Sequence, residues 1–245
     1  MFSVNEQVRD SYNQVQRQIL AQRLPYLARF RLPNVNQELI ITSADQLSDV
    51  GLWAYISAQA QLDMDFSAQN LMPITVTTGQ WVQDQQLNQQ AQIDLQKLFR
   101  DADIAGEPLI VTSAYRTQEA QQAIFQALKN QYGISYATNY VALPQSSEHQ
   151  TGLAVDLTSY SPACQKSFAG CQLKMATQNW LLTNAYRYGF INRYPANRQD
   201  QTGVGFEPWH YRYLGPTLAT MVYESGLTFD EVYSQMAKLV QEVQN

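Results

Sequence analysis

In SSEHQTGLAVDL, residues 146–157, a polar segment with one glycine runs directly into a buried-strand pattern, which places a strand at the centre of the predicted fold. This stretch holds His149, one of only two histidines in the chain, and Asp156 seven residues later. The other histidine, His210, lies in EPWHYRYL at 207–214, three residues after Glu207. Neither histidine stands on an apolar helical face, and each has carboxylates beside it. These two segments therefore hold the candidate chemistry.

Two imidazoles and a carboxylate form a ligand set that zinc accepts at catalytic sites, where three protein ligands leave one position open for water. His149, Asp156 and His210 supply such a set. The water also needs a nearby base that does not bind the metal. Glu207 is the natural choice, because Pro208 favours an extended residue before it and a turn can bring Glu207 to His210. On chemistry alone, two unrelated histidines remain an equal alternative.

The apolar patterns of the whole chain predict an α+β domain with a mostly antiparallel central sheet, because strands and helices do not alternate regularly. Strands are predicted at EPLIVTS (107–113), GLAVDLT (152–158), FINRY (190–194) and WHYRYL (209–214). Helices are predicted at 83–100, 117–133, 176–189 and 216–226, and a capping box at Thr228 and Glu231 opens a last one. Residues 134–148 are predicted to form a loop.

Residues 1–62 are predicted to form an N-terminal helical annex on a main domain of residues 63–245. Ser3 and Glu6 form a capping box for its first helix, and Ser43 with Gln46 predicts a second helix reaching Ile56. The run ELIIT at 38–42 predicts a short strand. No chemistry is assigned to this annex, whose amphipathic faces suit packing on the main domain or contact with a partner.

Composition excludes several classes of function. The chain has 245 residues, of which 45% are hydrophobic, so it can bury a sizeable core. A formal charge of −5, with scattered basic residues, argues against nucleic acid as a partner. No apolar run approaches the roughly 18 residues that a membrane span needs, so no transmembrane segment is expected.

The compartment is left open by the sequence. The first residues lack the basic start and apolar middle of a signal peptide, so the chain is either cytoplasmic or begins after a removed export signal or anchor. Cys164 and Cys171 lie seven residues apart; if paired, they close a short loop worth about 2–3 kcal/mol. Two reduced thiols are the alternative. Pairing favours an oxidising compartment, and we expect an extracytoplasmic location.

The pattern Ser147-x-His149-x-x-Gly152-x-Ala154-x-Asp156, followed by Glu207-x-x-His210, resembles the signature of the VanY-type zinc D-Ala-D-Ala carboxypeptidases. The first block would arise by chance on the order of once in ten thousand chains of this length. SAYRTQEAQ and YGFINRYP follow the family's order, so the resemblance covers roughly residues 63–216. The family is related to D,D-dipeptidases, to L,D-carboxypeptidases of the LdcB/DacB kind and to the hedgehog zinc fold. The resemblance implies a hedgehog/D-Ala-D-Ala-peptidase-like sheet flanked by helices.

Carried over residue by residue, the resemblance implies that zinc is the cofactor and that the catalytic base is Glu207. The implied zinc ligands are His149, Asp156 and His210. Arg116 would donate hydrogen bonds to a carboxylate or to the developing oxyanion. The implied substrate-binding residues are Gln121, Ser147, which would bind the peptide end, and Trp209, which would form part of the wall.

The implied function is removal of the C-terminal D-alanine from peptidoglycan stem peptides, with D,D activity slightly favoured over L,D activity on tetrapeptides. A D,D-dipeptidase is less favoured, because the spacing around EPWH resembles VanY. An endolysin-type endopeptidase would share the zinc site, although no wall-binding repeat is seen. A non-catalytic zinc module that binds cell wall is disfavoured by Glu207, since a pure binder has no need of a base.

Overall fold

This computed structural model describes residues 28–41, 47 and 51–244. Its strands are β1 Ala28–Arg31, β2 Glu38–Ile41, β3 Leu71–Pro73, β4 Gln86–Asn88, β5 Leu109–Ser113, β6 Ala154–Ser159, β7 Phe190–Asn192 and β8 His210–Tyr213. Its helices are α1 Gln89–Ile104, α2 Gln118–Tyr132, α3 Ile134–Tyr140, α4 Pro162–Lys166, α5 Met175–Asn184, α6 Gln199–Thr202, α7 Pro216–Ser225 and α8 Phe229–Gln244. Single 3-10 turns lie at Glu148–Thr151, Phe168–Gly170 and Ala185–Tyr188.

The central sheet contains four strands in the order β5-β6-β8-β7, and every neighbouring pair is antiparallel. The predicted α+β class with a mostly antiparallel sheet is therefore confirmed. Strand β6 is buried along its whole length. Its register places Asp156 opposite Ser113 on one side and opposite His210 on the other. Pairing alone thus brings two of the candidate metal ligands together.

Several helix ends lie where local capping signals predicted them. The Thr117 hydroxyl accepts a hydrogen bond from the Ala120 amide, and Gly133 ends α2. The Thr228 and Glu231 capping box is present, since each side chain accepts from the other residue's amide. These contacts satisfy amides that the first turn of α8 would otherwise leave without a partner.

Two predicted boundaries were wrong. The helix expected over 83–100 begins only at Gln89, because residues 86–88 pair with β3 and the Asn88 side chain caps α1. The loop expected over 134–148 contains the short helix α3, which packs against α2 through the buried Ala137. Its seven residues have too little apolar periodicity for a sequence pattern to show.

The described part of the predicted annex shares a core with the C-terminal helices. Its first elements form the hairpin β1-β2, and the predicted strand at 38–42 is confirmed. Phe30, Trp53 and Tyr55 pack in one apolar cluster with residues of α7 and α8. The helix predicted after Ser3 lies outside the described residues, as does most of the one predicted after Ser43. Residues 51–56 form a turn and an irregular segment.

A separate apolar cluster packs α1 against the sheet and contains Leu95, Leu98, Val155 and Leu157. The side of β6 that carries these residues is therefore anchored.

Cys164 and Cys171 form a disulfide, which is the paired alternative of the two considered. Within the described ranges, no helix has the length and apolar character needed to cross a bilayer.

Candidate metal centre

Asp156 lies at the middle of the candidate site. Its Oδ1 atom is 3.4 Å from Nε2 of His149 and 3.2 Å from Nδ1 of His210. One ligand atom from each of the three residues lies within 4.8 Å of the others. The structure therefore brings together the complete ligand set predicted from the sequence.

His149 is held in one orientation by the backbone. It belongs to the 3-10 turn that Gly152 ends with a φ of 71°, a left-handed conformation that favours glycine. Its Nδ1 atom is 2.7 Å from the carbonyl oxygen of Ala114. A carbonyl can only accept, so Nδ1 carries the proton and the lone pair of Nε2 faces Asp156. Burial, together with the charge of Arg116, lowers the pKa of His149 to about 4, which keeps the ring neutral.

His210 presents its other nitrogen to the site. Its Nδ1 atom faces Asp156, while Nε2 is 3.2 Å from Oε2 of Glu148. Burial opposes a charge on the ring, but the carboxylates of Asp156 and Glu148 outweigh burial and raise the pKa of His210 to about 9. Since a metal ligand must be deprotonated, Nδ1 of His210 would lose its proton when it holds a cation.

The carboxylate of Asp156 is matched to a cation. Its Oδ1 atom is buried and accepts no hydrogen bond from the described residues. Burial alone would favour the neutral acid, but the protonated His210 ring holds the pKa of Asp156 well below its usual range. A buried anionic oxygen without a hydrogen bond is costly unless a cation binds it. Two imidazole nitrogens and this oxygen fit zinc.

Glu207 lies beside this set. The His210 amide donates to the Glu207 carbonyl at 3.3 Å, closing the turn that the sequence suggested. The Oε2 atom of Glu207 is 3.9 Å from Nδ1 of His210, and the side chain is one quarter exposed. Burial raises the pKa of the Glu207 carboxyl above its usual value. This position and this pKa direction suit a general base.

Arg116 follows β5 in the chain and contacts the second carboxylate oxygen of Asp156. Its Nε and Nη2 atoms donate to the Ser113 hydroxyl at 2.9 and 2.7 Å, and Nη2 is 3.5 Å from Oδ2 of Asp156. Its Nη1 atom donates to Oε1 of Gln121 at 3.0 Å. The side-chain nitrogen of Gln121, Nε2, donates to the Ala142 carbonyl. Gln121 is fully buried and holds Arg116. Direct contact between Gln121 and a substrate stays a prediction.

Ser147 and Trp209 are the two other predicted substrate contacts. Ser147 is buried immediately before the 3-10 turn that carries His149. Trp209 is exposed and lies in the turn between Glu207 and His210. Both positions border the candidate centre, and their roles toward a substrate stay predictions.

A group of buried charges behind the ligands was missed by the sequence reading. It contains Glu148, Arg193, Arg212 and Asp230, each nearly inaccessible to solvent. A signal was available, because both arginines lie in short aromatic strand segments, FINRY and HYRY. A charged side chain inside such a segment implies a buried partner of opposite charge.

An antiparallel sheet that presents Asp156 and His210, with His149 on the 3-10 turn before β6 and Glu207 beside them, defines a class of protein with a metallopeptidase-like site. Residues 84–216 match the family model described as VanY, D-alanyl-D-alanine carboxypeptidase. That match spans more than half of the 245 residues. The chain belongs to the VanY family.

Individual proteins agree with this assignment. A D-alanyl-D-alanine carboxypeptidase of Enterococcus faecalis is 40% identical over 146 residues, which are 56% of this chain and 52% of the relative. The chain spans about half the length of the curated relatives it matches. The structure of the LdcB LD-carboxypeptidase aligns with a TM-score of 0.67 and 29% identity, over 85% of this chain and 94% of that one. A D,D-pentapeptidase VanY in complex with Zn(II) aligns with a TM-score of 0.62 and 32% identity, over 74% and 97%.

Proposed function

We propose that this protein is a zinc-dependent carboxypeptidase that removes the C-terminal D-alanine from peptidoglycan stem peptides. The observation that carries the proposal is the cluster of His149, Asp156 and His210 with Glu207 next to it. Zinc as the cofactor is supported by the buried Oδ1 atom of Asp156, which accepts no hydrogen bond from the described residues. The Zn(II) complex of the related VanY also supports it. D,D activity is supported by the Enterococcus faecalis relative.

The residues of the chain have separate tasks in this reaction. When bound, zinc supplies Lewis acidity, which lowers the pKa of a water molecule to about 7. Glu207 accepts a proton from the attacking water at its carboxylate and returns it to the amine of the leaving residue. Arg116 donates to the oxygen that becomes negative in the transition state or to the terminal carboxylate. Burial raises the pKa of Glu207, which improves its match to this proton transfer.

The contacts of Arg116 limit what it can offer. Its hydrogen bonds to Ser113, Gln121 and Asp156 use four of its five N–H groups. Among the described residues no partner is found for one Nη1 hydrogen, which therefore remains for a substrate. We expect Arg116 to make one charge-assisted hydrogen bond and Ser147 to assist from the other side.

L,D activity on tetrapeptide stems is the second candidate, because the LdcB LD-carboxypeptidase aligns with the larger share of this chain. Defined pentapeptide and tetrapeptide stems, incubated with zinc-loaded protein and analysed by mass spectrometry, separate the two. Loss of one alanine from the pentapeptide alone supports D,D activity, and loss from the tetrapeptide supports L,D activity. Cleavage inside cross-linked stems, with the free ends intact, would instead indicate an endopeptidase. Retained binding without any cleavage would indicate a binding module.

The proposed location is extracytoplasmic, where mature peptidoglycan lies. The pairing of Cys164 with Cys171 supports this, because disulfides persist in oxidising compartments. Thiol counting on unfolded, unreduced protein taken from its native compartment should find no free thiols. Two free thiols would favour the cytoplasm.

A further inference from the structure

Glu148 directly precedes the candidate ligand His149, yet its carboxylate contacts the other histidine. Its Oε2 atom is 3.2 Å from Nε2 of His210. Its Oε1 atom accepts from Nε of Arg193 at 3.0 Å and from Nη1 of Arg212 at 2.9 Å. The side chains of the glutamate and both arginines are at most 1% exposed. The catalytic roles proposed above use none of these contacts.

Arg193 connects this carboxylate to the last helix. Its two terminal nitrogens donate to the two oxygens of Asp230 at 2.5 and 3.1 Å. The hydroxyl of Tyr55 donates to the same carboxylate at 2.7 Å. Asp230 lies in the first turn of α8, so this branch joins the metal centre to α8 and to the segment 52–55.

Arg212 connects the carboxylate to the same segment by a second route. Its Nη2 atom donates to the carbonyl oxygens of Leu52 and Ala54 at 3.2 and 2.8 Å. Two arginines and two carboxylates thus balance each other's charge inside the protein. Such a group is stable only as a unit, because removing one member leaves an uncompensated buried charge.

The contact to His210 has a direct consequence for metal binding. A carboxylate held between two guanidinium groups is an acceptor only, so Nε2 of His210 must donate to it. Nδ1 is then the nitrogen that faces Asp156 and is left to bind a metal, and the contact with Glu148 restrains rotation of the ring. Hydrogen-bond partners of this kind fix the tautomer and orientation of metal-binding histidines, and their loss typically weakens metal binding by about 10–100-fold.

We infer that Glu148 is a positioning residue for His210, and that the ion pairs behind it make residues 52–55 and α8 part of the support of the metal centre. This inference rests on the zinc site of the proposed function. It also gives the described part of the N-terminal segment a task, which is to maintain metal affinity from behind the site.

The main test compares zinc affinity in Glu148→Gln with that of the wild type, by competition with a chelator. We expect the zinc dissociation constant to rise by about 10–100-fold. Asp94→Asn is the matched control, because Asp94 is also a buried carboxylate and binds Tyr213 and Lys97 on another side of the sheet. The control should keep its dissociation constant within about twofold of the wild type, since Asp94 has no contact with the candidate ligands. Unchanged affinity in a folded Glu148→Gln protein would overturn the inference.

Two further measurements apply if Glu148→Gln does not fold. Tyr55→Phe removes only one hydroxyl from the far end of the network and should raise the dissociation constant by a smaller factor, while unchanged affinity would count against the support role. Because the chain has only two histidines, the nitrogen NMR spectrum of tag-free, zinc-loaded protein should show the imidazole signals of only two rings. One ring should be protonated at Nδ1 and the other at Nε2. Two rings protonated at Nδ1 would contradict the contact to Glu148.

The outcomes separate this inference from the proposed function. If the wild type binds no zinc, the proposed function fails and this inference fails with it. A different outcome is that the wild type binds zinc and releases D-alanine, and that Glu148→Gln and Tyr55→Phe bind zinc as tightly as the wild type. In that case only this inference fails.

Discussion

The two sides of the metal centre differ in how deeply their charged side chains are buried. On the open side, the side chains of Glu207 and Arg116 are 26% and 22% exposed. On the closed side, Glu148, Arg193 and Arg212 are buried and paired with one another. Partial exposure on one side allows contact with a substrate and a proton transfer, whereas buried ion pairs on the other side maintain geometry. Substitutions on the open side should therefore change the catalytic rate. Substitutions on the closed side should change metal affinity and the stability of the fold.

The largest expected effect is at the boundary of the two sides. His149→Ala should remove both stoichiometric zinc and all activity, because two remaining ligands are too few to hold the metal. Elemental analysis of the purified, folded variant measures this. Full zinc occupancy would show that this ligand set is wrong.

On the open side, Glu207→Gln should keep zinc but lower kcat by about 10²–10⁴-fold, which is the usual loss for a general acid–base group. Zinc content and steady-state rates should be measured on the same preparation. If zinc and activity disappear together, Glu207 is a metal ligand, and its assignment as a separate general base is wrong.

Arg116→Lys should have a smaller effect on the same side. An ammonium group cannot reproduce the planar guanidinium, and the loss of one charge-assisted hydrogen bond of about 1.5–3 kcal/mol corresponds to roughly ten- to a hundredfold in kcat/KM. Zinc content should remain near that of the wild type. An unchanged kcat/KM would show that Arg116 does not contribute to substrate binding or catalysis.

The smallest catalytic effect is expected on the closed side. Tyr55→Phe removes a hydrogen bond to the Asp230 carboxylate and should lower the free energy of unfolding by about 1.5–3 kcal/mol, with kcat nearly unchanged at saturating zinc. Tyr211→Phe is the matched control, because the buried Tyr211 hydroxyl has no hydrogen-bond partner among the described residues. Urea unfolding of both variants tests this. Equal stability losses would mean that the Tyr55 contact is not special.

The same contrast explains how far the sequence could predict the molecule. Signals within a few residues, such as the Thr117 cap and the capping box of Thr228 and Glu231, predicted helix ends correctly. The short spacing from His149 to Asp156 likewise indicated a metal site. The β4 strand was missed, because it exists only through pairing with residues 71–73.

The network on the closed side depends on distances in sequence that no local pattern spans. Glu148 meets Arg193 and Arg212 across 45 and 64 residues, and Arg212 reaches Leu52 across 160. Only the fold brings such groups together. Arginine within an aromatic strand predicts that a partner exists, but not which one. The hydrogen bond between the buried Gln121 and Arg116 likewise became visible only in the fold, while the contact of Gln121 with a substrate stays a prediction.

The most direct test is the rate at which the last peptide bond is cleaved in two pentapeptide stems that differ only at the C-terminal end; the free acid releases D-alanine and the amidated stem releases D-alanine amide. Arg116 and Ser147 should recognise the terminal charge, so zinc-loaded protein should cleave the free acid at least about tenfold more efficiently. Zinc removal should abolish both rates. Equal rates on the two peptides, or full activity without zinc, would contradict the account.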